Sequence, residues 1–354
     1  MATATAIPPP VASLLGGRRD GSSHSTVFLT SGRAHHGDGV IRLLLVASTR
    51  AERGKRGGRG GSQKPIFAPA RAEAGKGEAG REISHLRQEQ EQEEEEEESS
   101  PFTVLTYVRS QYNEIMVVDT PTSRILTLDD TNNVHSILYK EQMLTGSYWD
   151  ELATLPAVIP EGPIAILGLG GGTAAHLILD LWPSLHLVGW EIDPILIDKA
   201  RDYFGLSDLE KHNQAGGFLS IHVGDALSPS MSVPGGFAGI VVDLFSDGKV
   251  LPQLQEANTW LELEKQLMPQ GRIMVNCGGA DAKKSRRGEA WVKNSTVKAM
   301  STVFNQKLSW KLMATTESEN YLALTGPAPD LDSWSARVPS QLNSNVKHWK
   351  PCGL

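Results

Sequence analysis

Two cysteines in 354 residues, Cys277 and Cys352, exclude a disulfide framework beyond one bridge and any cysteine-rich metal knuckle. No run of about 18 apolar residues occurs, so no membrane-spanning helix is expected. Positive charge is also short. Lys and Arg number 34 against 41 Asp and Glu, a formal net charge of −7, which disfavours a strongly basic nucleic-acid module. The ten histidines are scattered and form neither H-E-x-x-H nor another paired metal spacing, so no metal is expected. Gly-x-Ser-x-Gly is absent, which argues against an α/β-hydrolase. No repeat recurs at a spacing of about 20–50 residues. What remains is ordinary soluble-protein material: 40% hydrophobic, 21% charged and a mean hydropathy of −0.25, enough to build a sizeable core.

That average hides a division near residue 100. The first sixty residues carry 9 Arg and Lys against 3 Asp and Glu, and are rich in Ala, Ser and Gly. The opening Met-Ala, the early prolines and the Ser/Thr enrichment resemble an organelle transit peptide of plastid type, which implies a chloroplast stromal protein after its removal. The next stretch contains RGGRGGSQKP and the acidic run Glu89 to Ser100, read as a solvated linker. Residues 1–100 are therefore assigned to presequence and linker.

The folded part begins near Pro101. Residues 103–108, 114–119 and 123–128 are β-branched runs separated by turn signals, which predicts a small antiparallel β-domain over 101–136. A helix is expected over about 137–154. From Pro163 the pattern becomes strand–helix alternation. Strands are expected at 163–168, 186–190, 219–223, 238–243 and 271–276, and helices at about 172–181, 194–204, 256–267 and 288–305. Two closing strands fit 309–314 and 320–325. This predicts an α/β protein with a Rossmann-like, doubly wound, seven-stranded sheet over 137–326, then a tail over 327–354.

The strongest local signal is Gly168-Leu-Gly170-Gly171-Gly172-Thr173, which opens a helix directly from a strand. Glu191 ends the following strand, 23 residues after Gly168, where a carboxylate can accept both ribose hydroxyls of a nucleoside. Read loosely, Gly170, Gly172 and Ala175 also satisfy a dinucleotide pattern. The later motifs decide between the two. His222-Val-Gly-Asp225-Ala226 puts a carboxylate on a strand-end loop suited to an adenine amino group, Val241-Val-Asp243 ends the next strand, and Met268-Pro-Gln-Gly-Arg-Ile feeds another. This order of parts over about 160–326 resembles the class I S-adenosylmethionine-dependent methyltransferase superfamily.

A branch is also indicated. Tyr148-Trp-Asp-Glu-Leu-Ala-Thr-Leu-Pro156 is similar to the Y-H-E-M-L-A-H-x-P helix of the polyamine aminopropyltransferases, the spermidine synthases. Leu126-Thr-Leu-Asp129-Asp130 resembles their L-x-L-D-G turn, Glu191-Ile192-Asp193 their E-I-D, and Asp243 the first acid of their D-S-S-D-P. The resemblance spans nearly all of 101–326. It implies that Gly168, Gly170, Gly172, Thr173, Glu191, Ile192, Asp225, Ala226 and Asp243 hold S-adenosylmethionine or its decarboxylated form. It implies further that Asp243 and Asp247 act on the attacking group, that Tyr148 borders the acceptor tunnel, and that the chain forms a homodimer through the β-domain. A small-molecule acceptor is expected, with no nucleic acid and no membrane.

Departures from the family pattern fall at one end of the site. The family aspartate that grips the amino group of the decarboxylated nucleoside is Thr173 here. The second acid of D-S-S-D-P comes one residue late, at Asp247, its proline is missing, and Trp149, Leu244 and Phe245 replace polar positions. The expected activity is therefore methyl transfer to a small acceptor by in-line displacement. Aminopropyl transfer to a diamine and a non-catalytic protein that keeps the fold remain as alternatives. The basic cluster Lys283, Lys284, Arg286 and Arg287 is read as a solvated loop.

Overall fold

A computed structural model describes residues 28–30, 46–48, 102–131, 133–280, 290–314 and 319–353. The transit-peptide and linker readings, and the basic cluster at 283–287, lie outside these residues. The exceptions are the short strands β1 (Phe28–Thr30) and β2 (Val46–Ser48), which pair antiparallel.

The N-terminal sheet runs β3 (Thr103–Arg109), β4 (Glu114–Asp119), β5 (Ser123–Thr127) and β6 (Ser136–Tyr139), each antiparallel to its neighbour. Three strands match the sequence reading and the fourth corrects it. Residues 136–139 pair with β5 where a helix was expected over 137–154, so the sheet extends past residue 136. Only α1 (Tyr148–Leu152) is helical in that stretch. Gly146 explains the late start. It adopts a left-handed φ of 68°, and the Asp150 carboxylate accepts from the amides of Thr145 and Gly146 at 2.8 and 2.7 Å. That closes a turn ahead of the helix and satisfies backbone donors that would otherwise be orphaned.

The larger sheet has eight strands, one more than the sequence predicts. Its parallel part contains β7 (Ile164–Leu167), β8 (His186–Glu191), β9 (Phe218–Val223), β10 (Phe237–Val242) and β13 (Leu267–Asn276), in the order β9-β8-β7-β10-β13. All four residues of β7 and all six of β10 are buried, which is why these strands read as unbroken apolar runs rather than alternating ones. Helices α2 (Thr173–Leu181) and α3 (Pro194–Tyr203) connect on one side; α4 (Leu206–Leu209) is a single turn. On the other side lie α5 (Ala257–Glu264) and α6 (Ser295–Phe304). Strands β14 (Leu308–Ala314) and β15 (Glu319–Thr325) complete the expected antiparallel hairpin, with β15 against β13. The chain leaves β7 toward β8 and β9, then returns on the other side of β7 as β10. This switch point opens a crevice at the carboxyl ends of β7 and β10, where open α/β sheets bind ligands.

Residues 327–353 do not form a separate tail. Helix α7 (Leu331–Arg337) and strand β16 (Lys350–Pro351) return to the body, and β16 pairs with β14 as the eighth strand. Trp334, Leu342, Val346 and Trp349 are buried in the same core cluster as α1. The indole N–H of Trp349 and the ammonium of Lys311 both donate to the Glu151 carboxylate, at 2.5 Å each, and Lys311 donates again to the Asn345 carbonyl at 2.8 Å. Glu151 is fully buried and Lys311 nearly so. The pair persists in the interior because every charged atom has a partner.

Candidate functional site

The crevice at the switch point is a cavity of about 530 Å³ between the large sheet and the N-terminal sheet. Its floor is the glycine loop after β7. Gly168 is there for steric reasons: it has a φ of 86°, and a Cβ would lie 2.2 Å from the carbonyl oxygen of Asp243 on the neighbouring strand. Every amide N–H of this loop already has a protein acceptor. Gly168 and Leu169 donate to the Trp190 carbonyl, Gly170 to Glu191, Gly171 to the Ser136 hydroxyl, and Gly172 to the Leu169 carbonyl. The amides from Gly168 to Gly172 are therefore not available to a pyrophosphate.

Glu191 ends β8 and faces the cavity, although only 8% of its surface is exposed. Its Oε2 accepts from Gly170 N at 3.0 Å and its Oε1 from Asp193 N at 3.2 Å. Burial raises its carboxyl above the usual range, and those backbone donors oppose the rise. A carboxylate has about four acceptor positions; the amides of Gly170, Asp193 and Ile192 draw on them from the chain side, and the group also faces the cavity. Ile192 beside it is 42% exposed and lines the same wall. Asp225 and Ala226, after β9, also line the cavity; Asp225 is exposed and accepts from Leu227 N at 2.9 Å.

The opposite end is built around Asp243, just beyond β10. Its Oδ2 accepts from the Tyr148 hydroxyl at 3.0 Å and its Oδ1 from the Asn276 amide at 2.9 Å. Burial pushes its pKa up to about 6, while hydrogen bonds from Asn276, Tyr148 and Trp149 hold it from rising further. Burial and the adjacent Asp243 charge push the Tyr148 phenol well above its ordinary value, so it stays a donor. Trp149 packs on Tyr148 with ring centroids 4.5 Å apart. Leu244 and Phe245 add apolar wall.

The structure thus brings Gly168, Gly170, Glu191, Ile192, Asp225, Ala226, Asp243 and Tyr148 to one cavity. Gly172 and Thr173 do not line it. The Thr173 hydroxyl accepts from Ile137 N at 2.8 Å and donates to Ile137 O at 3.0 Å, so it fastens the loop to β6 and faces away from any ligand. Asp247 is also outside the lining. It sits exposed, with a φ of 50°, at the turn between the two-residue strands β11 (Phe245–Ser246) and β12 (Lys249–Val250).

Sequence reasoning missed Asn276, whose amide orients Asp243, and three wall residues, His135, Ser136 and Glu319. The His135 Nδ1 accepts from Leu128 N at 3.2 Å, which directs its other nitrogen to Asp129 at 3.5 Å, and burial lowers its pKa. Only the end-of-strand position of Asn276 offered a signal. Among the described lining residues there is no Lys or Arg. Among the described residues no group of three or more His, Cys, Asp or Glu is arranged to hold a metal ion.

No protein-family model matches the chain. It is 34% identical over 96 residues to a probable polyamine aminopropyl transferase of Bifidobacterium longum, covering 27% of this chain and 22% of that protein. It is 27% identical over 192 residues to a polyamine aminopropyltransferase of Vibrio vulnificus, covering 50% of this chain and 61% of that protein. It is also 27% identical over 135 residues to the human eEF1A lysine and N-terminal methyltransferase, covering 34% of this chain and 18% of that one. The chain therefore spans less than two thirds of each relative's length. Among solved structures, a probable spermidine synthase from Corynebacterium glutamicum superposes with a TM-score of 0.51 at 15% identity, covering 69% of this chain and 94% of that one. The chain, an antiparallel β-sheet followed by a Rossmann-like sheet, thus has a spermidine-synthase-like fold.

Proposed function

We propose that the protein is an S-adenosylmethionine-dependent transferase that moves a methyl group to a small nucleophile. The donor end carries the first half of this reading. A buried carboxylate that faces the cavity, beside a turn whose amides from Gly168 to Gly172 are all taken by protein acceptors, suits the ribose of a nucleoside. Glu191 would hold the ribose, Asp225 the adenine amino group, and Ile192 would cover the base. When bound, the sulfonium supplies an electrophilic carbon and a neutral thioether leaving group. The carboxylates of Glu191, Asp225, Asp243 and Glu319 give the cavity the charge sign that suits a sulfonium. Asp243 would take the acceptor's proton at a carboxylate oxygen, since a base with a pKa near 6 is ionised at neutral pH yet basic enough to share a proton. Tyr148 and Asn276 fix that carboxylate, so the remaining contribution is alignment.

The observation that favours methyl over aminopropyl transfer is Thr173. The position that carries an amine-gripping aspartate in the resembled family holds a hydroxyl with its donor and one acceptor site spent on Ile137. The second reading, aminopropyl transfer, has its own support: no described Lys or Arg lines the cavity to meet the carboxylate of an undecarboxylated donor.

Calorimetric titration of the whole chain with S-adenosylmethionine, its decarboxylated form and methylthioadenosine separates the two. Tighter binding of S-adenosylmethionine is expected. Preference for the decarboxylated form, with spermidine made from putrescine, establishes the second reading, and binding of none of the three sinks both. We also infer plastid import directed by residues 1–100, testable by fusing them to a fluorescent reporter, and a homodimer through the β3–β6 sheet, testable by light scattering.

A further inference from the structure

A second cavity, of about 420 Å³, lies at the opposite end of the large sheet. Arg272 belongs to it from the first half of β13; Asn276, four residues along, faces the first site. At about 3.3 Å per residue the two cavities are separated by some 13 Å of strand. The walls come from the turn after α1 (Ala157–Pro160), from Gln270–Arg272, and from Pro327–Arg337 around α7. Nothing in the transferase reading uses this space.

Its chemistry is specific. Two guanidiniums face one cavity, and neither has a carboxylate within ion-pair distance among the described residues. Arg272 donates only to backbone, to the Pro327 carbonyl at 2.8 Å and, at the limit of a hydrogen bond, to the Thr325 carbonyl at 3.5 Å. Arg337 donates to the Ala157 carbonyl at 3.1 Å. Burial around Arg272 disfavours its charge, with no neighbouring acid to offset that. A guanidinium has five N–H donors, so most remain unused on both residues. One acid shares the space. Asp330 caps α7, its Oδ1 accepting from Asp332 N and Ser333 N at 3.1 and 3.3 Å. The two arginines and Asp330 leave the cavity one positive charge in excess. The rest of the lining is mixed: Gln270 and Ser333 are polar, the prolines, Val158 and Ile159 are apolar, and Trp334 is buried beneath them with its indole N–H spent on the Thr154 carbonyl at 3.1 Å. Gln270 at the rim holds a left-handed φ of 67°, a conformation uncommon for a residue with a side chain.

We propose that this cavity binds a small organic oxyanion, a carboxylate or phosphate on an apolar body, clamped between Arg272 and Arg337 with the apolar part against Val158, Ile159 and Pro160. Planar guanidiniums with open donors match an oxyanion in geometry as well as charge. One negative charge neutralises the excess, and Val158, Ile159 and the prolines give the organic part an apolar surface that a hydrated ion such as chloride does not use.

The test uses the full chain and two probes, inorganic phosphate and benzoate, titrated against thermal unfolding and by calorimetry at constant ionic strength, with chloride as the reference. Saturable binding of benzoate is expected, tighter than that of phosphate, with chloride silent. Phosphate binding tighter than benzoate retains the oxyanion clamp and removes the apolar part of the proposal. R337A alters an exposed side chain and is expected to fold; it should weaken benzoate about ten-fold or more. R272K keeps the charge but loses the fork and should weaken it by a similar factor. Both variants should bind S-adenosylmethionine as the parent chain does, which makes failure here distinct from failure of the transferase reading. No saturable binding of either probe, or binding unchanged in both variants, overturns the proposal.

Discussion

The two ends of the main cavity each hold a carboxylate lifted by burial, but they hold it by different means. Glu191 is fixed by the main chain, through the amides of Gly170 and Asp193. Asp243 is fixed by side chains from separate segments, Tyr148 on α1 and Asn276 at the end of β13. A backbone-held acid keeps its geometry whatever side chains surround it. A side-chain-held acid can be retuned by a single substitution. The Glu191 end is therefore built for constancy and the Asp243 end for change, and the departures from the aminopropyltransferase pattern at Trp149, Leu244 and Phe245 collect at the adjustable end.

The sharpest way to break this comparison is D243N. Loss of a positioned base lowers turnover by about 10²–10⁴-fold, while the donor's dissociation constant should change far less. Stability should move the other way. Asp243 titrates near 6 in the folded chain against 3.8 as an unperturbed carboxyl, so the folded state keeps a proton that the unfolded state has released. The penalty is absent below pH 3.8, grows between 3.8 and 6, and is complete above 6. D243N should thus stabilise the protein by up to about 3 kcal/mol at pH 8 and by little at pH 4, read from denaturant midpoints at the two values. Equal effects at both would show that Asp243 is not strained by burial.

E191A comes next. Removing the ribose acceptor should weaken the donor about 10–100-fold by calorimetry, with turnover of saturated enzyme affected less. Y148F is smaller. The phenol hydrogen bond lowers the Asp243 pKa, so its removal should move the acid limb of the pH–rate profile upward from near 6. An unmoved limb would mean that Tyr148 only packs. T173A is the smallest in its effect on ligands. It should cost about 1–3 kcal/mol of stability, since the Ile137 backbone loses both partners, while donor affinity stays within about two-fold. A large loss of affinity would return Thr173 to the ligand.

The same contrast explains what was legible in the sequence. The parallel strands and the glycine loop were readable, because burial on both faces and crowding at Gly168 each restrict residue type. Glu191 and Asp225 were readable because the strand–loop rhythm places them. Asn276 was not, since its role exists only after β13 docks beside β10. The stretch 137–154 misled for a related reason: Ser136-Ile-Leu-Tyr is apolar enough for either helix or strand, and only pairing with β5 decides. Thr173 misled because a motif position says nothing of which way a side chain turns. The tail at 327–353 reads as polar by composition, yet its tryptophans are core residues.

That tail has a consequence for the Asp243 end of the cavity. Glu151 lies one helical turn from Tyr148, and its charge is balanced by Lys311 and by the Trp349 indole. Trp349 stands more than one hundred residues beyond Asp243 in the chain, so the helix bearing Tyr148 is fully supported only once the C-terminal segment has docked. Loss of that segment would reach the Tyr148–Asp243 hydrogen bond through Glu151 without touching the cavity lining.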